Sequence, residues 1–352
     1  MNTSLQHARR LLDRLPRANL GFFPTFLQPL ERLSAHLGIR LYVKRDDFTG
    51  ICLFGGNKVR KLEYLLGQAL ADGATHVITY GATQSNHAME TAAACRRAGL
   101  VPILYLTAVV PPRPGELRSN LLLDHLLDAE IHIVPILPGE TETQAEERSF
   151  RMGRERAREL NSSGHVCVDI PMGGASPLGS VGFAAAMVEL QEQCEALGSV
   201  RFSRIYHSTG TGGTMAGLHA GRAMLGLDTR IISVAASPKD EAAYLDRVLA
   251  LSRSVLTLLG SHTEPSRDAM ELNLEQWQPG YEQPSEASSE AIRLLARTEG
   301  LFADPVYTGK ALAGLLRDVD EGRIRQGETV LFWHTGGATA LFAEPEILGS
   351  LL

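Results

Sequence analysis

Short runs of β-branched and aliphatic residues alternate with longer amphipathic stretches along most of this chain, and that alternation restricts the fold more than any other feature. The runs Ile39–Val43, Thr75–Tyr80, Val101–Leu106, Ile131–Ile136 and Val166–Ile170 read as strands, and the segments 57–71, 86–98, 115–127 and 141–160 between them carry helical periodicity. The pattern continues through helix 178–196, strand 204–208, helix 214–224, strand Arg230–Ala235, helices 239–258, 284–299 and 308–319, and strand Thr329–Trp333. Strands separated by helices need crossover connections, so they pair in parallel and are covered on both faces. The expected fold class is α/β, with two open, largely parallel sheets, each in a three-layer unit.

A chain of 352 residues with 44% hydrophobic content can fill two such cores. A formal net charge of −6 without a long basic block argues against nucleic acid as a partner, and no apolar run reaches membrane-spanning length. The N-terminal stretch mixes Gln6, His7, Arg9, Arg10 and Asp13 among its leucines, which is unlike a secretory signal, so a cytoplasmic location is expected. Cys52, Cys95, Cys167 and Cys194 are too scattered for a zinc knuckle or a redox pair; packing in a reducing compartment and no bound metal are expected.

In open parallel sheets, ligands lie beyond the carboxyl ends of the strands. Polar turns fall at those ends here: Gln84-Ser85-Asn86-His87, Ser208 through Thr214, Asp304 through Lys310, and His334-Thr335-Gly336-Gly337. The turn Thr209-Gly210-Thr211-Gly212-Gly213-Thr214 suits a phosphate, because glycines admit the anion and the N–H groups opening the next helix point at it. It is not a dinucleotide fingerprint, since Met215 stands where the third glycine would be. Gly55-Gly56-Asn57-Lys58 opens another helix, with Asn57 as candidate cap and Arg60 and Lys61 close behind. An amine among cations at the positive end of a helix dipole is expected to have a depressed pKa, as a lysine that condenses with an aldehyde requires. A solvated basic turn is the plain alternative.

Lys44-Arg45-Asp46-Asp47, Gly55–Lys58 with Arg60-Lys61-Leu62-Glu63, Gln84–His87, Pro171-Met172-Gly173-Gly174, the 210–214 turn, Asp304–Lys310 and His334–Gly337 occur in this order. Together they resemble the D-cysteine desulfhydrase and 1-aminocyclopropane-1-carboxylate deaminase family, pyridoxal 5'-phosphate enzymes of the tryptophan-synthase β-subunit fold. The resemblance covers nearly the whole chain; residues 109–120 and 237–275 match more loosely, and the Phe54 neighbourhood and the 210–214 turn depart from the commonest family wording. It implies that Lys58 binds the cofactor aldehyde, that Asn86 donates to the ring hydroxyl oxygen, and that Thr209, Gly210, Thr211, Gly212, Gly213 and Thr214 hold the phosphate. Thr335 would face the pyridine nitrogen. Ser85 would meet the substrate carboxylate or shuttle a proton, Tyr281 and Tyr307 would act on the substrate, and Asn86, His87 and Thr308 would complete its pocket.

Within that family, ring-opening deaminases carry a glutamate after the tyrosine matching Tyr307 and a glutamine after the Gln-Ser-Asn block. Thr308 and His87 stand at those positions here, which resembles the desulfhydrase. The implied reaction is β-elimination on a small amino acid, with D-cysteine giving pyruvate, hydrogen sulfide and ammonia. The alternatives are the deaminase, a cysteate sulfo-lyase whose sulfonate would need a further cation such as Lys239 or Arg113, and a non-catalytic ligand-binding scaffold. The resemblance also implies a homodimer, a large cofactor-binding domain from residues 1–60 and 171–352, and a small domain from 61–170.

Overall fold

The computed structural model describes residues 3–52, 55–113, 115–349 and 351; Phe54 lies outside them. The described helices are α1 (Thr3–Leu12), α2 (Glu31–Leu37), α3 (Lys58–Ala71), α4 (Asn86–Ala98), α5 (Ser119–Leu126), α6 (Glu142–Ser162), α7 (Pro177–Ala196), α8 (Gly213–Leu225), α9 (Glu241–Leu259), α10 (Glu286–Glu299), α11 (Thr308–Asp320) and α12 (Pro345–Leu348). The strands are β1 (Leu27–Pro29), β2 (Arg40–Arg45), β3 (His76–Ala82), β4 (Val101–Ala108), β5 (Glu130–Pro135), β6 (Cys167–Asp169), β7 (Arg204–Thr209), β8 (Arg230–Ala235), β9 (Met270–Asn273) and β10 (Thr329–His334). The sequence reading omitted α1, α2, α12, β1 and β9: the two strands are three and four residues long, too short to show a period. The helix expected over 115–127 begins only at Ser119, because residues 115–118 run as a loop.

Two sheets result, in the orders β1-β2-β10-β7-β8-β9 and β5-β4-β3-β6. Every pairing is parallel except that of β1 with β2 at the edge. The parallel strands are apolar on both faces, as coverage by helices requires: Val330, Leu331, Phe332 and Trp333 of β10 are all fully buried. One core packs α1, α7, α8 and α9 against one face of the larger sheet through Leu5, Phe183, Leu218, Leu256 and Trp333. A second covers the opposite face with α2, α10 and α11, through Leu33, Ile292 and Leu312.

A buried ion network ties α3 to the larger sheet. The Arg60 guanidinium donates to both oxygens of Asp46, at 2.8 and 2.7 Å, and to both of Glu189, at 3.0 and 2.9 Å. Lys44 joins through Glu189, and the Trp333 indole N–H donates to Asp46 at 2.7 Å. Such charges tolerate burial only because each is paired and hydrogen-bonded. The network holds the start of α3 beside the end of β10.

Candidate functional site

A cavity of about 870 Å³ opens where the carboxyl ends of both sheets converge. It is lined by Lys58, Ser85, Asn86, His87, Tyr281, Tyr307 and Thr335, together with Thr209, Gly210, Thr211, Gly212 and Thr214. The fold therefore brings nearly all the residues singled out from the sequence to one place. Gly213 does not line it; a Cβ there would stand 3.0 Å from the Lys61 Nζ, so this glycine backs the turn and keeps room for that amine.

Lys58 is the first residue of α3, and its Nζ donates to the Asn57 side-chain oxygen at 2.8 Å. Burial lowers its pKa, while the carboxylates of Glu90 and Asp304 oppose that shift. The direction agrees with the sequence expectation but the cause does not, because Arg60 points away into the Asp46–Glu189 network. Asn57 is not a side-chain cap either; its amide nitrogen donates to Thr214 Oγ1 at 3.1 Å, joining the lysine turn to the glycine-rich turn.

Ser85 caps α4 by accepting from the Ala88 N–H at 3.2 Å while facing the cavity. The Asn86 oxygen accepts from the amide of Asn120 at 2.8 Å and from the Thr339 hydroxyl at 3.2 Å, which leaves its NH2 as the outward donor. His87 Nε2 lies 2.8 Å from Thr79 Oγ1, whose single proton is directed to the Ile170 carbonyl, so the ring N–H donates to Thr79. Burial pushes the His87 pKa well below its usual value, and the Lys58 and Lys61 charges act in the same direction. His87 is thus a neutral wall residue.

The hydroxyls of Tyr281 and Tyr307 are 2.6 Å apart. Burial raises both pKa values, so both phenols stay protonated. Thr335 presents its hydroxyl 3.2 Å from that of Ser208, and its carbonyl accepts from the Asn57 N–H at 3.0 Å. Thr308 departs from expectation. It is fully buried behind the cavity wall, and its hydroxyl is held by Asp304 at 2.5 Å. Asp304 also accepts from the N–H groups of Val306, Tyr307 and Thr308, so the Asp304 carboxylate closes the turn into α11, whose N-cap residue Tyr307 makes no side-chain cap bond. Arg113, offered for a sulfonate, lies on the surface against Glu346, whereas Lys239 does line the cavity.

Sequence reasoning missed Lys61 and Tyr244 as parts of the site. Lys61 is 1% exposed, lines the cavity and donates to the Gly173 carbonyl at 2.9 Å. Its place one turn after Lys58 was the available signal, since residues three apart share a helix face. Tyr244 of α9 braces the glycine-rich turn, donating to the Gly210 carbonyl at 3.1 Å and lying 2.7 Å from Thr209 Oγ1. No local sequence signal marks that role.

These residues fit a phosphorylated aldehyde. Gly212 holds the left-handed conformation at φ 92° immediately before α8, which turns the first N–H groups of that helix toward the cavity, and the Lys61 amine stands beside the turn. A second amine, Lys58, is enclosed within the same cavity, with the Asn86 NH2 and the Thr335 hydroxyl as the polar groups a substituted ring would need.

Comparison with known proteins agrees with this geometry. A family model described as pyridoxal-phosphate dependent enzyme matches residues 18–336. The D-cysteine desulfhydrase of Klebsiella pneumoniae (strain 342) is 38% identical over 335 residues, covering 94% of this chain and 97% of that protein. That of Salmonella typhi is 38% identical over 335 residues, with the same coverage of 94% and 97%. Among solved structures, an ACC deaminase homologue superposes with a TM-score of 0.86 at 36% identity over 100% of both chains. The processed form of threonine deaminase isoform 2 from Solanum lycopersicum shares the fold, with a TM-score of 0.65 at 15% identity over 96% of this chain and 85% of that one.

Proposed function

Since the chain belongs to the pyridoxal-phosphate dependent enzymes and is a lyase that uses this cofactor, we propose that its reaction is β-elimination on D-cysteine, in which the Cβ–S bond breaks and hydrogen sulfide leaves, the remaining enamine taking up water to give pyruvate and ammonia. The observation that carries the reading is the meeting of Lys58, Ser85 and the Tyr281–Tyr307 pair in one cavity of a chain 38% identical to D-cysteine desulfhydrases.

Bound pyridoxal phosphate supplies stabilisation of negative charge at the substrate α-carbon. The chain's own residues bind, orient and move protons. The N–H groups opening α8 and the Lys61 amine would hold the phosphate, and the Asn86 NH2 would donate to the ring oxygen. Ser85, at the N-terminus of α4, receives the substrate carboxylate, where the helix dipole favours an anion. Lys58, its basicity lowered by burial, takes the α-proton. Tyr307 remains protonated, is held in place by Tyr281, and directs its O–H at the departing sulfur. Thr335 would offer a neutral hydroxyl to the ring nitrogen. Lys239 and Arg247 line the cavity together with Glu142 and Glu146, so charges of both signs are present, and the choice of a thiol over a sulfonate rests on the likeness to D-cysteine desulfhydrases.

A panel of D- and L-cysteine, L-cysteate, D-serine and 1-aminocyclopropane-1-carboxylate, scored for pyruvate and 2-oxobutyrate, tests the reading. Pyruvate from D-cysteine at the highest kcat/KM is expected. Faster 2-oxobutyrate formation would give the reaction to the deaminase, which the likeness to the ACC deaminase homologue keeps as the second reading. The proposal includes a cytoplasmic homodimer and the division into a small domain, 61–170, and a large one. Among the described residues no helix is long and apolar enough to cross a membrane.

A further inference from the structure

Glu90 lies on α4, one turn beyond Asn86, and is 1% exposed. Its Oε2 accepts the backbone N–H of Val59 at 3.1 Å, so a carboxylate from another helix occupies the N-terminus of α3 where Asn57 supplies no side-chain cap. The same carboxylate packs on the glycine before that helix: a Cβ on Gly56 would fall 2.1 Å from Glu90 Oε1. From the other side, Gly336 comes so close that a Cβ on it would lie 2.8 Å from the Gly56 Cα. Gly56 is therefore held between β10's exit loop and α4, with Lys58 two residues on.

We propose that Glu90 is the positioning residue for Lys58: its carboxylate clamps the Gly56–Val59 turn onto α4, and its negative charge sets the protonation of the Lys58 nitrogen. Among the described residues, these titratable groups face the pair. Lys58 and Lys61 face Glu90 from α3, Cys52 from the preceding loop, Asp304 faces Lys58 from before α11, and His87 lies near both lysines on α4. Burial pushes Glu90 up to about 7, and both lysines and the two α3 N–H groups pull it back. Glu90 and Lys58 thus bias each other's charge, the carboxylate favouring the ammonium and the ammonium favouring the carboxylate. Glu90 makes the Lys58 cation more stable than burial alone would leave it, so loss of the charge lowers the Lys58 pKa further.

The inference rests on Lys58 carrying the cofactor, and its test separates the two. The full-length loaded protein and its Glu90→Gln variant, which keeps an acceptor for Val59, are titrated by the pH dependence of the visible absorption band. The midpoint is expected to fall by one unit or more in the variant, a tenfold change in the proton equilibrium. An unchanged midpoint, even with a lower melting temperature, would confine Glu90 to packing and overturn the proposal. Absence of any lysine-dependent band in the parent protein would instead defeat the assignment of Lys58. Should Glu90→Gln not fold, Lys58→Met gives the reciprocal reading, because linkage between the two groups is mutual. In the full-length protein with 13C-labelled glutamate carboxyls, one signal titrating near neutrality is expected to move up by one unit or more in Lys58→Met. If no carboxyl moves, the proposal fails.

Discussion

Replacing Lys58 by alanine removes the amine that opens α3, and Lys61, the next amine along that helix, is turned to the Gly173 carbonyl. Lys58→Ala is expected to lose the absorption band beyond 400 nm and all pyruvate formation; retention of either sinks the assignment of Lys58. Tyr307→Phe keeps the ring and removes one hydroxyl of the 2.6 Å pair. If that phenol acts on the departing sulfur, kcat is expected to fall by about two decades or more with little change in KM, the range for loss of a general acid; a loss confined to KM would assign it to binding alone. Thr308 calls for a different experiment from the one its neighbours invite. Its hydroxyl is bonded to Asp304 in the turn that leads into α11, so Thr308→Glu would press a second carboxylate against Asp304, whose own pKa burial already raises. The expected result is a lower melting temperature and general loss of activity, not a switch toward 2-oxobutyrate. A selective gain of ring-opening would show that position 308 reaches the substrate after all.

The glycine-rich turn before α8 works as an element, since its hydroxyls and carbonyls are braced from α9 and its N–H groups belong to the helix. Gly212 has φ 92°, and a Cβ there would meet Val248 at 3.0 Å and the Tyr244 hydroxyl at 3.4 Å. Gly212→Val is therefore expected to weaken cofactor binding by roughly two to four decades, the loss of two charge-assisted hydrogen bonds at about 1.5–3 kcal/mol each. It should also cost the cofactor-free protein about 1–2 kcal/mol, because a β-branched residue resists the left-handed conformation. Spectroscopic titration with pyridoxal phosphate and denaturant unfolding measure the two separately, and unchanged cofactor affinity would place the phosphate elsewhere. The start of α3 is also an assembled element. Its first turn is held by Glu90 from α4, by the Thr335 carbonyl after β10, and through Arg60 by Asp46 and Glu189, none of them adjacent to it in the chain.

Two groups of carboxylates pull the stability of the whole molecule in opposite directions with pH. Glu189, paired with Arg60 and Lys44, is held down to about 2. Its contribution is present above the usual carboxylate pKa and is lost as pH falls toward 2. Glu282 is the reverse: buried near Glu142 and Glu344, it is pushed up to about 8, so its stabilising contribution is full below about pH 4.5 and lost as pH rises through 8. Glu282→Gln is expected to raise the melting temperature at pH 8 and above by at least about 2 °C and to leave it unchanged at pH 4; a loss of stability at pH 8 would overturn this. The alternation of β-rich and amphipathic runs was enough to read parallel sheets, and the glycine-rich turn and the Lys58 turn were legible because their signals are local, glycines that admit an anion and an amine at a helix start; Tyr281 and Tyr307 came only from the family resemblance. Where those turns meet, and what surrounds each group, depended on residues distant in the chain. Arg60 stands near Lys58 in sequence yet points into the Asp46–Glu189 network, Thr308 follows Tyr307 yet faces Asp304, and Glu90 reaches from α4 to the Val59 N–H at the start of α3. Local pattern specifies backbone conformation and which face of an element is apolar, but the field at a buried charge is the sum over neighbours that only packing brings within a few ångströms.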